Sequence, residues 1–275
     1  MAKKALLVGI NRYPDPGNEL KGCVNDVLLI RETLARHFGF TEAEGIRQLT
    51  DARATTKAIL DGLAWLTAGA APGDSLVFHY SGHGSQVPDA NGDERDRLDE
   101  ILCPYDLDWD RPLTDDDLAA TAAGVPDGAL LTVILDCCHS GTGLREPARP
   151  GADVRHRFLS HPHPVGPGNG RRPIRRFGVS LTKTHAVLIA ACRDDQTSAD
   201  AFLDGKYRGA LTYHLWRALR DADWSAPCRA LVAATGDSLA RAGFDQVPQL
   251  EGPPHLLAKP VFKTGFPGIP TRIAG

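Results

Sequence analysis

Short apolar runs and helical apolar spacings alternate along this chain. Several runs of about six residues are almost wholly apolar and end at polar or turn-forming residues, which is typical of strands buried on both faces of a sheet. Apolar residues recur at helical spacing between these runs, from Val27 to Phe38 and from Ile59 to Leu66. The pattern therefore predicts an α/β fold of parallel β-α-β units. The predicted strands cover residues 5–10, 46–49, 75–80, 130–135 and 186–191, and the predicted helices cover 25–38, 55–67, 209–219 and 229–242.

Two of the predicted strands end in reactive side chains. His83 follows the strand 75–80 between two glycines, and Cys138 follows the strand 130–135. The carboxyl ends of parallel neighbouring strands meet at one sheet edge, where open α/β folds place their active sites. A thiolate nucleophile needs a nearby base and amide donors for a developing oxyanion. The pattern predicts a cysteine peptidase with a His83–Cys138 dyad and an oxyanion hole formed by the backbone amides of Gly84 and Cys138.

The residues around the predicted nucleophile point to opposite faces. Alternate residues of an extended strand share a face, so Asp136 and Cys138 are expected to point together and Cys137 into the packing. A carboxylate beside a thiol raises the pKa of the thiol, which does not help its chemistry. Asp136 is therefore interpreted as a receptor for a cationic substrate side chain, the alternative being a cap on backbone amides.

The residue types bear on two kinds of metal site, zinc and calcium. Zinc is disfavoured because His79 and His83 are four residues apart along a strand and its turn, roughly 13 Å, and no C-x-x-C pair is present. Residues 86–113 form an acidic insertion, and three aspartates follow it at 115–117. Clustered carboxylates suit Ca²⁺, whereas most charge runs are solvated surface, and the sequence leaves both interpretations open.

Composition limits the class of protein. The chain has 275 residues, 42% of them hydrophobic, and a formal net charge of −3, which disfavours a nucleic-acid binder. No export signal or apolar stretch of membrane-spanning length is apparent, so no membrane partner is expected. Six dispersed cysteines without an export signal predict reduced thiols and a cytoplasmic protein.

Residues 145–177 differ in kind from the rest. They hold eight arginines, six prolines and four glycines with few large aliphatics. Such a segment buries little apolar surface, so it is predicted to be an exposed linker open to proteolysis. A peptidase with a receptor for a cationic side chain, either this chain or an upstream activating protease, would cut it, the alternative being a disordered linker whose arginines only keep it soluble. The candidate processing sites are Arg145, Arg149, Arg172 and Arg176.

Several motifs, taken in order, resemble those of the metacaspases, cysteine peptidases of the caspase clan. The two strand-end motifs are HYSGHGSQ at 79–86 and DCCHSG at 136–141. The resemblance also covers LKGCVND at 20–26, DERDRLDEILCPYD at 93–106, TDDDL at 114–118 and ACRDDQTSAD at 191–200.

The resemblance implies a caspase-like sandwich with a mostly parallel central sheet and helices on both faces. It implies one peptidase domain over 1–275, with a large-subunit-like part at 1–144, the linker, and a small-subunit-like part at 178–275. It further implies cleavage of protein or peptide substrates after Arg or Lys, with no required cofactor. The implied basic pocket is formed by Cys23, Asp26, Ser81 and Asp136.

The resemblance also supplies a calcium expectation. Asp99, Asp115 and Asp116 match calcium-ligating positions of calcium-dependent members. A fourth acidic ligand is expected shortly after the nucleophile, where this chain has Arg145 followed by Glu146.

Two other functions were weighed against the peptidase. The first is a catalytically silent caspase-like module that scaffolds a complex, and the second is a metal-dependent hydrolase. An active-site probe with an arginyl chloromethylketone would label the peptidase and not the silent module. A metal-dependent hydrolase would lose activity with a chelator and not with a thiol alkylator.

Overall fold

A six-stranded sheet forms the centre of the computed structural model, which describes residues 1–88, 98–139, 154–163, 181, 184–193 and 196–263. Its strands are β1 (Lys3–Gly9), β2 (Ile46–Thr50), β3 (Ser75–Ser81), β7 (Leu130–Asp136), β9 (Ala186–Ala190) and β12 (Gln249–Glu251). Their order across the sheet is β12-β9-β7-β3-β1-β2, and every neighbouring pair is parallel except β12 with β9. The mostly parallel α/β sheet predicted from the sequence is confirmed.

Helices cover both faces of this sheet. They are α1 (Cys23–Phe38), α2 (Thr56–Thr67), α3 (Asp115–Ala123), α4 (Ala210–Asp221), α5 (Cys228–Ala242) and the short α6 (Pro254–Leu257). Along β1, Leu6 and Val8 join a hydrophobic cluster with α2 and α3, whereas Ala5 and Leu7 join a second cluster with α1, α4 and α5. Because alternate residues of a strand point to opposite faces, β1 contributes side chains to the hydrophobic clusters on both faces of the sheet. Among the described helices, none combines the length and the apolar character needed to cross a membrane.

Two small sheets stand at the carboxyl edge of the central sheet. One is the antiparallel meander β4 (Gly84–Pro88), β5 (Leu98–Leu102) and β6 (Leu113–Thr114). The other pairs β10 (Ala199–Leu203) with β11 (Lys206–Gly209) and β8 (Arg155–His156), all antiparallel. The meander lies within the acidic insertion, where no strand was predicted. All five residues of β5 are nonetheless buried, so this part of the insertion is structural.

The prediction that residues 145–177 form an exposed linker is wrong around Arg157. Residues 154–163 are described, they contribute β8, and the Arg157 side chain is fully buried at 0% exposure. Counting apolar residues missed this because Arg157 is held by charge and hydrogen bonds and not by apolar burial. The four predicted processing sites, Arg145, Arg149, Arg172 and Arg176, lie outside the described residues.

Candidate active site

Adjacent strand ends bring the two predicted motifs together. Strands β3 and β7 are parallel neighbours in a register that places Ser81 opposite Asp136. Both strands are buried along their whole length, and Ser81 and Asp136 are their carboxyl-terminal residues. His83 lies two residues past the end of β3, and Cys138 two residues past the end of β7. The expectation that both motifs leave the sheet at one edge is confirmed.

His83 is fixed in one tautomer by its neighbours. Its Nε2 lies 2.8 Å from the backbone oxygen of Asn18, which can only accept, so Nε2 carries the proton. Nδ1 is then a proton acceptor, and it is buried with no hydrogen-bond partner among the described residues. The backbone N–H of His83 donates to the Tyr13 hydroxyl at 2.9 Å, and Tyr80 donates to the His83 carbonyl at 2.7 Å. Burial lowers the pKa of His83 to about 4, so the ring is neutral at pH 7 and can accept a proton.

Cys138 and Cys137 have different surroundings. The Cys138 sulfur accepts a hydrogen bond from the backbone N–H of Ser198 and lies 3.5 Å from the Ser198 carbonyl oxygen. Cys137 belongs to the hydrophobic cluster beneath α2 and α3, where burial holds the pKa of its thiol well above the ordinary value. The strand-alternation argument for these two cysteines therefore agrees with the structure.

One carbonyl oxygen occupies the position between the two predicted oxyanion donors. The backbone N–H groups of Gly84 and Cys138 both donate to the carbonyl oxygen of Arg157, each at 3.1 Å. The close approach needs a glycine at 84, because a Cβ there would collide with the Cys138 backbone. Two amides that converge on one oxygen are the arrangement that stabilises an oxyanion.

The side chain of Arg157 fills an acidic pocket beside these amides. Its Nη2 lies 2.9 Å from Asp26 Oδ2 and 3.3 Å from Asp200 Oδ1. Its Nη1 donates to Ser81 Oγ at 2.7 Å and lies 3.3 Å from Asp136 Oδ1. All four partners are buried. The pocket therefore compensates a buried guanidinium with three carboxylates and a hydroxyl, as its burial requires.

The carboxylates are themselves held in place by donors from several elements. Ser198 Oγ donates to Asp136 Oδ1 at 2.7 Å, and the Thr212 backbone N–H and hydroxyl donate to its Oδ2 at 2.8 and 2.7 Å. The Gly209 backbone N–H donates to both oxygens of Asp26, at 3.0 and 2.9 Å. A Cβ at Gly209 would run into both Asp136 and Arg157. The pocket is thus pre-organised, and a residue larger than glycine would not fit at position 209.

Electrostatics in the pocket follow from burial and charge. Burial raises the pKa of the Asp26 carboxyl to about 7, with Arg157 lowering it and Asp136 raising it. Burial also disfavours a charged guanidinium, but the carboxylates of Asp136, Asp26 and Asp200 outweigh it and hold the pKa of Arg157 above its ordinary value. Burial raises the pKa of the Cys23 thiol, which is therefore neutral at pH 7. Each carboxylate depends on the cation that fills the pocket.

All four residues of the predicted pocket surround Arg157, and sequence reasoning missed three further contributors. Asp26, Ser81 and Asp136 contact the guanidinium, and Cys23 lies within its electrostatic reach. The missed contributors are Asp200, the backbone of Gly209 and Arg157 itself. Asp200 ends the quoted motif ACRDDQTSAD, which is the one signal that could have identified it.

Buried histidines predict that the fold is less stable in acid. Four of them have a pKa lowered from 6.5 to about 4, with burial as the largest cause: His79, His83, His139 and His214. Asp26 and Asp115 act in the opposite direction, because burial raises the pKa of each from 3.8 to about 7. The unfolded chain therefore binds roughly 0.5 more protons than the fold at pH 6.5 and roughly 1.7 more at pH 5, and the free energy of unfolding should fall by roughly 2–3 kcal/mol in total between these two pH values.

Urea unfolding of the Cys138→Ala chain at pH 6.5, 6.0, 5.5 and 5.0 measures this dependence. The variant His214→Asn tests the contribution of one histidine. In the wild type, His214 Nδ1 lies 2.7 Å from the Ser238 hydroxyl oxygen. Asparagine can still hydrogen-bond to this hydroxyl but does not titrate. The pH slope of this variant should be shallower by about one proton. A midpoint that rises between pH 6.5 and 5 would contradict the prediction.

The predicted calcium ligands have the charge that a Ca²⁺ site needs, but the structure does not arrange them as a metal site. After burial itself, Asp116 and then Asp99 are the causes that raise the pKa of Asp115 to about 7, which indicates crowded carboxylates. Yet within the described part of the chain, no group of three or more His, Cys, Asp or Glu side chains could hold a metal ion. The calcium site therefore stays a prediction.

Comparison with known proteins gives one consistent family. The family model for the metacaspase, peptidase C14 domain matches residues 3–147. The metacaspase-1 of Scheffersomyces stipitis is 33% identical, covering 90% of this chain and 70% of that protein. The metacaspase-1 of Schizosaccharomyces pombe is 34% identical over 77% of this chain and 58% of that protein, and that of Arabidopsis thaliana is 34% identical over 88% and 66%.

Solved structures share the architecture. A protein from Geobacter sulfurreducens superposes with a TM-score of 0.68 at 26% identity and covers 96% of this chain and 99% of that chain. Caspase-1 from Spodoptera frugiperda superposes with a TM-score of 0.54 at 12% identity, covering 91% and 86%, a likeness of fold alone. The caspase-like fold implied by the motifs is thus confirmed.

The chain spans about six to seven tenths of the length of these curated relatives. Within that span, the family match, the level of identity and the caspase-like sheet all agree. The chain belongs to the metacaspases, and its domain is that of a cysteine peptidase.

Proposed function

We propose that this chain is a cysteine endopeptidase that cuts proteins after Arg or Lys through a Cys138–His83 dyad. The observation that carries the proposal is the guanidinium of Arg157 among Asp26, Asp136 and Asp200, directly beside the two converging amides. A pocket with three carboxylates favours a cationic side chain and rejects an acidic one. Cytoplasmic location and activation by linker cleavage belong to the same proposal.

The mechanism follows from the positions of these groups. The Cys138 thiolate attacks the carbonyl carbon of a substrate whose Arg or Lys fills the pocket. The developing oxyanion lies between the amides of Gly84 and Cys138. His83 Nδ1 takes the thiol proton and gives it to the leaving amine, and water then hydrolyses the acyl-enzyme. The Asn18 carbonyl acts as a positioning group, because it keeps the proton on Nε2.

A catalytically silent module is the second candidate, and one observation favours it. The pocket is filled by the chain's own Arg157, so a substrate must displace this side chain or wait for its removal. A silent module would keep this arrangement permanently. Labelling of Cys138 by an arginyl chloromethylketone separates the two functions, since only a reactive thiol with an accessible pocket is alkylated.

A panel of fluorogenic peptides that differ only in the residue before the scissile bond tests the specificity. Peptides with Arg or Lys should be cut, whereas those with Asp, Gln or norleucine should not. Norleucine matches the length of the lysine stem without its charge, so it isolates the electrostatic contribution. Equal rates for Arg and Asp would refute the pocket.

Calcium is the part of the proposal that needs its own measurement. If Asp99, Asp115 and Asp116 bind Ca²⁺, millimolar Ca²⁺ should raise the melting temperature of the Cys138→Ala chain by about 2–4 °C. The rise should be larger at pH 8 than at pH 6, because the pKa of Asp115 lies at about 7. Differential scanning calorimetry with Ca²⁺ and with EGTA measures both.

Two variants separate a bound ion from a general charge effect. Asp99→Asn should abolish the rise, whereas Asp110→Asn removes an exposed carboxylate nearby and should retain it. An identical rise in both variants would dismiss the site.

A further inference from the structure

Residues 155–159 occupy the active site in the manner of a substrate. Strand β8 pairs antiparallel with β10, with His156 opposite Ala199 and Arg155 opposite Asp200. The pairing continues at the next residue, where the Arg157 backbone N–H donates to the Ser198 carbonyl at 3.1 Å. An extended segment added to the edge of a small sheet is a common way for a protein to bind a peptide.

The segment is also held beyond Arg157. Phe158 forms a parallel bridge with Gly84, and the Leu159 backbone N–H donates to the Gly84 carbonyl at 3.0 Å. The Ser85 hydroxyl donates to the Leu159 carbonyl at 2.6 Å. The chain is therefore fixed on both sides of the peptide bond between Arg157 and Phe158. A segment that only needed its arginine buried would require neither set of contacts.

The carbonyl of this bond is the group that the two oxyanion donors bind. The amides of Gly84 and Cys138 converge on the Arg157 oxygen, and one of them belongs to the predicted nucleophile. The Arg157 side chain meanwhile fills the acidic pocket, where Nη1 and Nη2 contact the three carboxylates and the Ser81 hydroxyl, and Nε is buried with no hydrogen-bond partner among the described residues. The contacts of the side chain, of the carbonyl and of the flanking backbone thus all point to cleavage of the bond between Arg157 and Phe158.

We propose that the bond between Arg157 and Phe158 is cut by Cys138 of the same chain, and that residues 155–159 block the active site until then. This inference rests on the proposed function, which includes activation by linker cleavage, and adds the identity of the bond that is cut and of the segment that fills the site. It names a bond that composition did not single out, since Arg157 is one of eight arginines between 145 and 177.

The step is an ordinary acyl transfer. The Cys138 sulfur forms a thioester with the Arg157 carbonyl carbon while the bond to the Phe158 nitrogen breaks. The proton from the thiol passes through His83 to that nitrogen, which leaves as the new amino terminus. Water then hydrolyses the thioester, so Arg157 becomes a carboxyl terminus and the free thiol is regenerated. Nothing beyond water is consumed.

Cleavage changes what holds the segment. Before the cut, displacing Arg157 would leave three buried carboxylates without their cation, which is costly, and the chain tethers the segment on both sides, which keeps its effective concentration high. After the cut, the segment ends at Arg157 with a free carboxylate, is tethered only on its amino-terminal side, and can leave when another cationic side chain competes for the pocket. The uncut chain should therefore be slow on peptides and the cut chain fast.

Intact-mass spectrometry and amino-terminal sequencing of the full chain test the inference. Wild type should yield a fragment that begins at Phe158, and Cys138→Ala should remain whole. The rate should be independent of protein concentration over a hundredfold dilution, as for a reaction within one chain. Peptide cleavage after Arg is measured on the same samples, with and without millimolar Ca²⁺.

Three variants show whether Arg157 directs the cut. Arg157→Gln should not be cut after residue 157, whereas Arg157→Lys keeps the charge and should be cut there. Arg155→Gln, two residues earlier in the same segment, should also still be cut after Arg157. Melting temperatures of all three variants identify any that fail to fold, and the lysine variant then carries the test.

The possible results distinguish failure of this inference from failure of the proposed peptidase function. If wild type cuts Arg peptides but stays whole between 157 and 158, or is cut only at other arginines, the inference is wrong and the peptidase stands. If Arg157→Gln is cut after residue 157 as fast as wild type, the pocket does not select this bond and the inference is wrong. If neither wild type nor Arg157→Gln cuts peptides or itself, both the inference and the proposed function fail.

Discussion

Replacing Cys138 with alanine should lower the rate of peptide cleavage by at least about 10⁴-fold, with little change in the melting temperature. The sulfur is the atom that would form the acyl-enzyme, and no other group in the described site could take its place. The sulfur loses two hydrogen bonds with Ser198, one accepted from its backbone N–H and one donated to its carbonyl oxygen at 3.5 Å. Initial rates on an Arg peptide, with calorimetry on the same samples, measure both quantities.

Cys137→Ala is the matched control, since it removes the adjacent thiol. That side chain packs in the hydrophobic cluster under α2 and α3, so its loss should cost stability and leave kcat/KM within a few-fold of wild type. A Cys138→Ala chain that retained full activity, or a Cys137→Ala chain that folded normally and lost it, would reverse the assignment of the nucleophile.

The central strands could be predicted because their environment is uniform. The predicted strand 75–80 corresponds to Ser75–Ser81, and 130–135 corresponds to Leu130–Asp136. A parallel strand with both faces covered must be apolar throughout, so its ends coincide with the first polar residues. For the same reason the polar residues at those ends could be assigned to one edge of the sheet before any geometry was known.

Elements stabilised by distant residues could not be predicted. Helix α1 begins at Cys23, two residues before the predicted start at residue 25, because Asn11 accepts hydrogen bonds from the Cys23 and Val24 backbones. No local search for a capping residue finds a partner twelve positions earlier. Strand β5 was missed because buried acidic residues, Asp99 and Glu100, interrupt its apolar pattern.

The pocket was predictable in part for a related reason. Asp136 could be inferred from strand alternation, since it lies beside the nucleophile on one strand. Asp26, Ser81 and Cys23 came only from the resemblance, because they reach the pocket from α1 and β3. Arg157 could not be selected from its sequence neighbours, since the contacts that distinguish it come from side chains up to 131 positions away.

Asp136→Asn should remove the preference for arginine. The Asp136 carboxylate lies 3.3 Å from the Nη1 of the bound guanidinium and is fully buried, so its charge is not screened by water. Breaking a buried ion pair costs on the order of 3 kcal/mol, which corresponds to a loss of about 100-fold in kcat/KM for Arg substrates. An asparagine has the same shape, so the loss reports on charge and not on a cavity.

The decisive readout is the ratio of kcat/KM for a peptide with arginine to that for one with citrulline, its neutral isostere. This ratio should be high for wild type and should fall by about 100-fold in Asp136→Asn, while the citrulline rate itself changes little. Asp204→Asn is the matched control: it removes the same charge from an exposed turn where φ is +51°, a conformation that asparagine adopts readily, and should leave the ratio unchanged. Equal losses for both peptides would mean that Asp136 supports the shape of the site and does not read the charge of the substrate. An unchanged ratio would remove Asp136 from the pocket and leave recognition to Asp26 and Asp200, which approach the guanidinium through its other nitrogen, Nη2.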